Sequence, residues 1–117
     1  MSQLVNFEDI RYRYAPVLDT YIQKFFEGRS SHCSVMASYH FNTGGKRLRA
    51  LIPLFVYSAL GRDPLEIIPL GAALETFHNA TLVHDDIQDV DELRRGQASV
   101  WKKYSESQAI NCGDALF

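Results

Sequence analysis

From Ile10 to Phe26 the apolar residues Ile10, Tyr14, Val17, Leu18, Tyr21, Ile22, Phe25 and Phe26 recur at three- and four-residue intervals. That period belongs to one face of a helix packed against a core. Pro16 either kinks this helix or starts its main part. The aromatic stripe reads as packing, within the chain or against a second subunit, and carries no chemistry. Gly28-Arg29-Ser30-Ser31 reads as a turn, after which Ser34 is placed to cap a short helix bearing Val35, Met36, Tyr39 and Phe41. Asn42-Thr43-Gly44-Gly45 breaks that helix. The next runs to about Leu60 and holds Pro53, where a kink is expected because a proline costs a helix interior about 3 kcal/mol. Gly61 ends it. Asp63 before Pro64 is a cap followed by a proline at the first helical position, and Pro69 is a further start signal. Leu70 to Val83 has the length and period of a buried helix. No segment alternates with period two, so the expected fold is all-α.

Composition narrows this picture only slightly. A chain of 117 residues, 46% apolar and 22% charged, fits one small α-helical domain over 1–117 with a single core. A net charge of −2 supplies no electrostatic footprint for nucleic acid. Cys33 and Cys112 lack metal-site spacing and make no disulfide framework, so a reducing cytoplasm is expected. No charged-then-apolar leader is visible. The longest apolar stretch, Ala50 to Leu60, is interrupted by Pro53 and Ser58 and is too short for a transmembrane segment.

Local charge is more informative. Asp85-Asp86-Ile87-Gln88-Asp89 puts three carboxylates at the end of the long apolar helix. Asp85 and Asp89, four apart, point the same way, with Asp86 about 100° round. Acids at a helix C-terminus oppose the macrodipole by roughly 0.3–1 kcal/mol each, and like charges four apart add a few tenths more. Something cationic should therefore sit there. Arg94 and Arg95 return towards the acids on a polar loop from Val90 to Gly96. A salt-bridged helix end would be worth only about 0–1 kcal/mol and leaves the amount of charge unexplained. His78, Thr81, Asp85 and Asp89 lie roughly down one side of the helix, although His78 alone would read as a satisfied core histidine.

Gly44-Gly45-Lys46-Arg47-Leu48-Arg49 is the second charged stretch. Two glycines let the backbone approach a ligand, and a helix starting just after them offers unpaired amides and its positive end. Lys46 and Arg49 are expected to share a face of that first turn. The arrangement suits an anion with several oxygens, such as a diphosphate, as well as it suits a solvated basic helix start. It is not a nucleotide P-loop: the earlier glycine is missing and Arg47 stands where Ser or Thr would ligand magnesium. Both stretches make sense together if Mg²⁺ and phosphate are the missing elements.

GGKRLR at 44–49, ETFHNATLVHDDIQD at 75–89, ELRRG at 92–96 and AINCGDALF at 109–117 resemble, in order and spacing, the N-terminal part of the trans-isoprenyl diphosphate synthases, the polyprenyl synthetase family. The resemblance implies an antiparallel helical bundle of the isoprenoid synthase type whose central helix carries the DDxxD motif. It implies that Asp85 and Asp89, with Asp86 supporting, hold Mg²⁺ bridging the diphosphate of an allylic substrate. Arg94 would contact that allylic diphosphate, and Lys46, Arg49, His78 and Arg95 would bind isopentenyl diphosphate. The implied reaction is head-to-tail condensation: diphosphate departs, the isopentenyl double bond attacks the allylic cation, and a proton is lost. No side-chain nucleophile is required, and no Ser/His/Asp or Cys/His set stands out.

Under the same resemblance the fifth position before the first aspartate sets product length. Here it is Ala80 beside Thr81, which leans towards products of C20 or longer, while Phe77 one turn deeper could floor the cavity instead. The chain departs from the family at Ala50, where proline is usual, and at Gly96-Gln97-Ala98-Ser99, where GxPT is usual. Family members also carry a second aspartate-rich motif not found before Phe117, so a homo-oligomer or a partner chain is expected to cover the remaining half. Three functions compete: an active prenyltransferase seen in part, a non-catalytic prenyl-diphosphate-binding or regulatory subunit, and a metal-dependent phosphohydrolase using the His84-Asp85 pair.

Overall fold

The structure, a computed structural model, describes residues 6–28 and 31–117. The turn expected at 28–31 therefore lies partly outside the described residues, at Arg29 and Ser30. Six α-helices are described, α1 (Phe7–Glu27), α2 (His32–Asn42), α3 (Leu48–Ala59), α4 (Ile68–Gln88), α5 (Val100–Lys103) and α6 (Glu106–Leu116). A 3₁₀ turn over Pro64–Ile67 precedes α4, and a minimal hairpin of β1 (Leu93–Arg94) and β2 (Gln97–Ala98) precedes α5. The all-α expectation holds, and the polar loop after α4 is in fact this antiparallel pair, with Leu93 opposite Ala98 and Arg94 opposite Gln97. No helix is long and apolar enough to cross a membrane among the described residues.

The chain divides into two compact units, one of residues 1–24 and 47–75, the other of 25–46 and 76–117. In the first, α1 and α3 close a core of Ile10, Leu18, Ala50, Leu51, Leu54 and Ile68, flanked by Phe7, Tyr14, Ala15, Phe55 and Ile67. Phe7 meets Phe55 edge-on at 5.7 Å between ring centroids. Gly71 is the close-approach point of α4: a methyl group there would lie 3.1 Å from Leu54, 3.2 Å from Leu18 and 3.3 Å from Ala50.

The apolar stripe of α1 separates into two rows. Ile10, Leu18, Ile22 and Phe26 are buried, whereas Val17, Tyr21 and Phe25 are exposed. Both expected prolines lie inside helices, Pro16 in α1 and Pro53 in α3. Asp63 caps the 3₁₀ turn by accepting from Leu65 N at 3.0 Å, with Pro64 at its start as expected.

Two starts differ from expectation. The cap of α2 is Ser31, whose Oγ accepts from Ser34 N at 3.2 Å; Ser34 is three residues inside, and its own hydroxyl lies 2.9 Å from that of Ser31. Either serine could fill the role by residue type, and the one in extended backbone (φ −69°, ψ 153°) does. α3 begins at Leu48, with Arg47 as its cap residue in the left-handed region at φ 58°. Lys46 therefore precedes the helix and does not share its first turn with Arg49.

In the second unit α2 and α5 pack on α6. Phe26 lies against Phe41 at 5.6 Å and Tyr39 against Tyr104 at 5.8 Å. Gly113 lets α6 approach α4 at His84, whose Nε2 lies 3.1 Å from the Ile110 carbonyl, as donor to it, and 3.5 Å from Asp114 Oδ1.

Candidate active site

The aspartate cluster is sorted by the way α4 ends. Asp89 N donates to Asp85 O at 2.8 Å, which carries the helical register one residue past Gln88 and keeps Asp85 and Asp89 on one side. Val90 then turns left-handed at φ 55°. Val90 N donates to Ile87 O at 3.2 Å and Asp91 N to Asp86 O at 2.9 Å, the paired bonds of a Schellman cap. Glycine is the usual residue at that position, and a β-branched residue there is strained.

Asp85 and Asp89 are exposed, while Asp86 retains only 1% of its surface. The buried carboxylate is gripped by Arg94, Nε to Oδ2 at 3.1 Å and Nη2 to Oδ1 at 2.5 Å. This two-point geometry is the strong form of the guanidinium–carboxylate pair. The Asp86 hydrogen bonds are the main reason the Arg94 guanidinium is pushed still further up from its ordinary pKa, despite the opposing cost of burial. The cation expected at this helix end is therefore Arg94, and it engages one particular aspartate.

The hairpin is fastened where it must be for this grip. The Asp91 carbonyl accepts from Ser99 Oγ and from Trp101 Nε1, each at 2.7 Å, and Ser99 N donates to Glu92 O at 2.8 Å. Tyr39 OH on α2 donates to Ala98 O at 2.6 Å. The two-residue turn consists of Arg95 at φ 52° and Gly96 at φ 81°, the positive pair of a type I′ turn. Arg95 Nη1 donates to Thr43 Oγ1 at 3.0 Å.

The basic stretch behaves differently from its expectation as a bare helix N-terminus. Arg47 is buried and its Nε donates to Asp19 Oδ1 on α1 at 2.8 Å. The first-turn amide of Ala50 donates to Glu75 Oε1 at 3.0 Å, within the same unit. Glu75, 3% exposed, thus supplies the carboxylate that this helix start attracts. Sequence reasoning passed over Glu75; the signal was an acid inside an otherwise apolar run. Lys46 and Arg49 are exposed, Lys46 in the second unit and Arg49 in the first.

Of the remaining expected residues, His78 is half-buried. Thr81 Oγ1 turns back onto the His78 carbonyl at 2.5 Å. Ala80 has no exposed surface, whereas Phe77 is exposed and meets Phe117 edge-on at 5.0 Å. Sequence reasoning gave His40 and Asn79 no part in the diphosphate site; both are 1% exposed and joined Nε2 to Oδ1 at 2.8 Å. Among the described residues no three His, Cys, Asp or Glu side chains converge as a ready metal cage. Two outward carboxylates at one helix end nevertheless fit Mg²⁺, which takes one or two protein carboxylates and completes its shell with water and substrate phosphate.

The helical architecture is that of the isoprenoid synthases. A geranylgeranyl pyrophosphate synthetase from the archaeon Geoglobus acetivorans superposes with a TM-score of 0.85 at 38% identity, over 92% of this chain and 35% of that one. The polyprenyl synthetase family profile matches residues 30–117, and the chain belongs to that family. It is 37% identical over 110 residues to a short chain isoprenyl diphosphate synthase of Methanothermobacter thermautotrophicus, covering 93% of this chain and 34% of the relative. It is 41% identical over 101 residues to a farnesyl diphosphate synthase of Geobacillus stearothermophilus, covering 85% and 33%. The chain thus spans about a third of the length of these relatives.

Proposed function

We propose that the chain acts in isoprenoid biosynthesis as the portion of a trans-prenyltransferase bearing the first aspartate-rich motif and the isopentenyl diphosphate site. The reaction is Mg²⁺-dependent head-to-tail condensation of isopentenyl diphosphate with an allylic diphosphate. One observation carries this reading: in a polyprenyl synthetase chain, Asp85 and Asp89 face outward together while Asp86 is buried under Arg94. On this reading 1–117 forms part of one larger synthase domain.

Asp85 and Asp89 would hold Mg²⁺, with Asp86 supporting them through Arg94. When bound, the ion supplies Lewis-acid pull on the departing diphosphate. The chain's own residues bind and orient. Arg94, held charged by Asp86, is placed to meet the allylic diphosphate with donors left over from its carboxylate pair. Lys46, Arg49, His78 and Arg95 take the diphosphate of isopentenyl diphosphate. Ala80, with Thr81 beside it, stands at the chain-length position and adds no bulk, which favours products of C20 or longer, with Phe77 one turn deeper as the alternative floor. Relatives named for farnesyl and for geranylgeranyl products are both similar to this chain, so product length rests on these side chains rather than on kinship. The exposed row Val17, Tyr21 and Phe25 suits a second copy or a partner chain, and two free cysteines suit a cytoplasmic setting.

The test is calorimetric binding of an allylic diphosphate with and without Mg²⁺, followed by condensation with isopentenyl diphosphate. Mg²⁺-dependent binding that disappears in Asp85→Ala and Asp89→Ala supports the assignment; binding unchanged in both sinks it. The span of about a third of the relatives keeps a second reading, a non-catalytic binding subunit, which turnover by the purified chain alone would exclude. The phosphohydrolase reading is disfavoured because His84 Nε2 is engaged with the Ile110 carbonyl instead of being offered beside Asp85.

A further inference from the structure

A buried polar relay runs from α4 to the hairpin turn within the second unit. Asn79 Oδ1 can only accept, so His40 Nε2, 2.8 Å away, is the donor. The carbonyl of the same His40 accepts from Thr43 Oγ1 at 2.7 Å. With its proton committed there, the Thr43 hydroxyl can turn only lone pairs towards Arg95, whose Nη1 lies 3.0 Å away. His40 and Asn79 are each 1% exposed and Thr43 is 8% exposed, so the hydroxyl that meets the exposed Arg95 side chain is itself held from the interior.

Arg95 itself occupies a strained position. The first residue of its type I′ turn, at φ 52°, favours Asn, Asp or Gly. An arginine there accepts a backbone cost that a smaller residue would avoid, and its side chain ends on Thr43. Strain retained in this way follows the pattern of a side chain held for a task.

We propose that Thr43, backed by His40 and Asn79, is a positioning residue that fixes the Arg95 guanidinium for a diphosphate group. The inference rests on the assignment of Arg95 to the isopentenyl diphosphate site and deepens it. Thr43 does not touch the ligand. It removes the rotational freedom of a long side chain, so that less is lost when the anion binds.

The experiment uses the purified chain with inorganic pyrophosphate and with isopentenyl diphosphate as probes, read by calorimetry, and nitrogen NMR of the Arg95 side chain without ligand. Thr43→Val keeps the shape and removes the hydroxyl; Thr43→Ser keeps the hydroxyl. Folding of each is checked by circular dichroism and thermal melting. The expected results are slowed guanidinium rotation at Arg95 in the unaltered chain and in Thr43→Ser, and fast rotation in Thr43→Val. Probe affinity should fall about tenfold in Thr43→Val, recover in Thr43→Ser, and fall no further when Thr43→Val is added to Arg95→Ala. Unchanged rotation and affinity in Thr43→Val, with affinity lost in Arg95→Ala, overturns the positioning role and leaves the diphosphate site standing. Equal loss in Thr43→Val and Thr43→Ser also overturns it, since the hydroxyl then has no part. Full affinity in Arg95→Ala, or no binding by the unaltered chain, overturns the site assignment and this inference with it, while the NMR arm still reports whether Thr43 holds Arg95.

Discussion

The three aspartates of one motif should respond to the same substitution with opposite signs. Asp86 is buried and accepts from Nε and Nη2 of Arg94, whose side chain retains 22% of its surface. Asp86→Asn removes the charge that compensates Arg94 and keeps the volume. Breaking a fully buried pair costs about 3–5 kcal/mol, and hydrogen bonds to charged groups are worth about 1.5–3. Discounting for the partial exposure of Arg94, we expect a loss of about 2–3 kcal/mol in unfolding free energy. Asp85 and Asp89 are exposed at the negative end of α4 with no ion-pair partner among the described ion pairs. Asp85→Asn or Asp89→Asn relieves the macrodipole and the mutual repulsion, so each should gain roughly 0.3–1 kcal/mol in metal-free buffer. The assay is urea unfolding at low and moderate salt, with Arg94→Met and the Asp86→Asn/Arg94→Met double variant closing a cycle. The double variant should be less damaged than the sum of its parts. A neutral Asp86→Asn, or a destabilising Asp85→Asn, would refute the sorting of the motif by burial. With Mg²⁺ and an allylic diphosphate present the order should reverse for the outward pair, because a bound ligand stabilises only a chain able to hold it.

Three further outcomes follow from particular residues. Val90→Gly relieves the left-handed position at φ 55° and should raise stability by about 1 kcal/mol in thermal or urea unfolding, a gain that Val90→Ala should not match. Gly113→Ala should cost about 1–3 kcal/mol, because the added methyl meets the His84 imidazole, its Cε1 at 2.9 Å and Nε2 closer still; a Gly113→Ala/His84→Ala double variant should recover part of the loss. Burial pushes the Cys112 thiol up to about 12, with Cys33 adding to the shift. The folded value lies above the unfolded one, so this contribution is intact below about pH 8.5 and declines as pH rises towards the folded value. Melting points between pH 8 and 11 should therefore fall more steeply in the unaltered chain than in Cys112→Ala, and iodoacetamide at pH 8 should label Cys33 well before Cys112.

Where sequence reasoning succeeded, the information was local. The three- and four-residue recurrence from Ile10 to Phe26 marked α1 as a helix, though not which of its apolar residues are buried, and Asp63-Pro64 marked a helix start, because both depend on neighbours within a turn. It erred where two residues of one type competed, as with Ser31 and Ser34. It erred also where backbone geometry moved a boundary, as when the left-handed Arg47 placed Lys46 ahead of α3. The hairpin escaped notice because two-residue strands carry no period, although Arg95-Gly96 between short arms was a turn signal of the right length.

Hydrophobic spacing by itself determined the helical class and the set of charged residues from which a diphosphate site could be built, and the resemblance of four motifs pointed to the family that the profile match shows. Spacing determined as well that Asp86 lies off the line of Asp85 and Asp89, since rotation per residue is a property of the helix alone. Only the tertiary structure decided which side of that helix is buried, and so that Asp86 is the residue Arg94 grips. It likewise decided that Glu75 caps α3, and that Asn79 and His40 stand behind Thr43 and Arg95. The reason is physical: a helix face is set by a few adjacent residues, but the partner of a buried charge is set by whichever elements packing brings within three ångströms, and that distance is not written in the spacing.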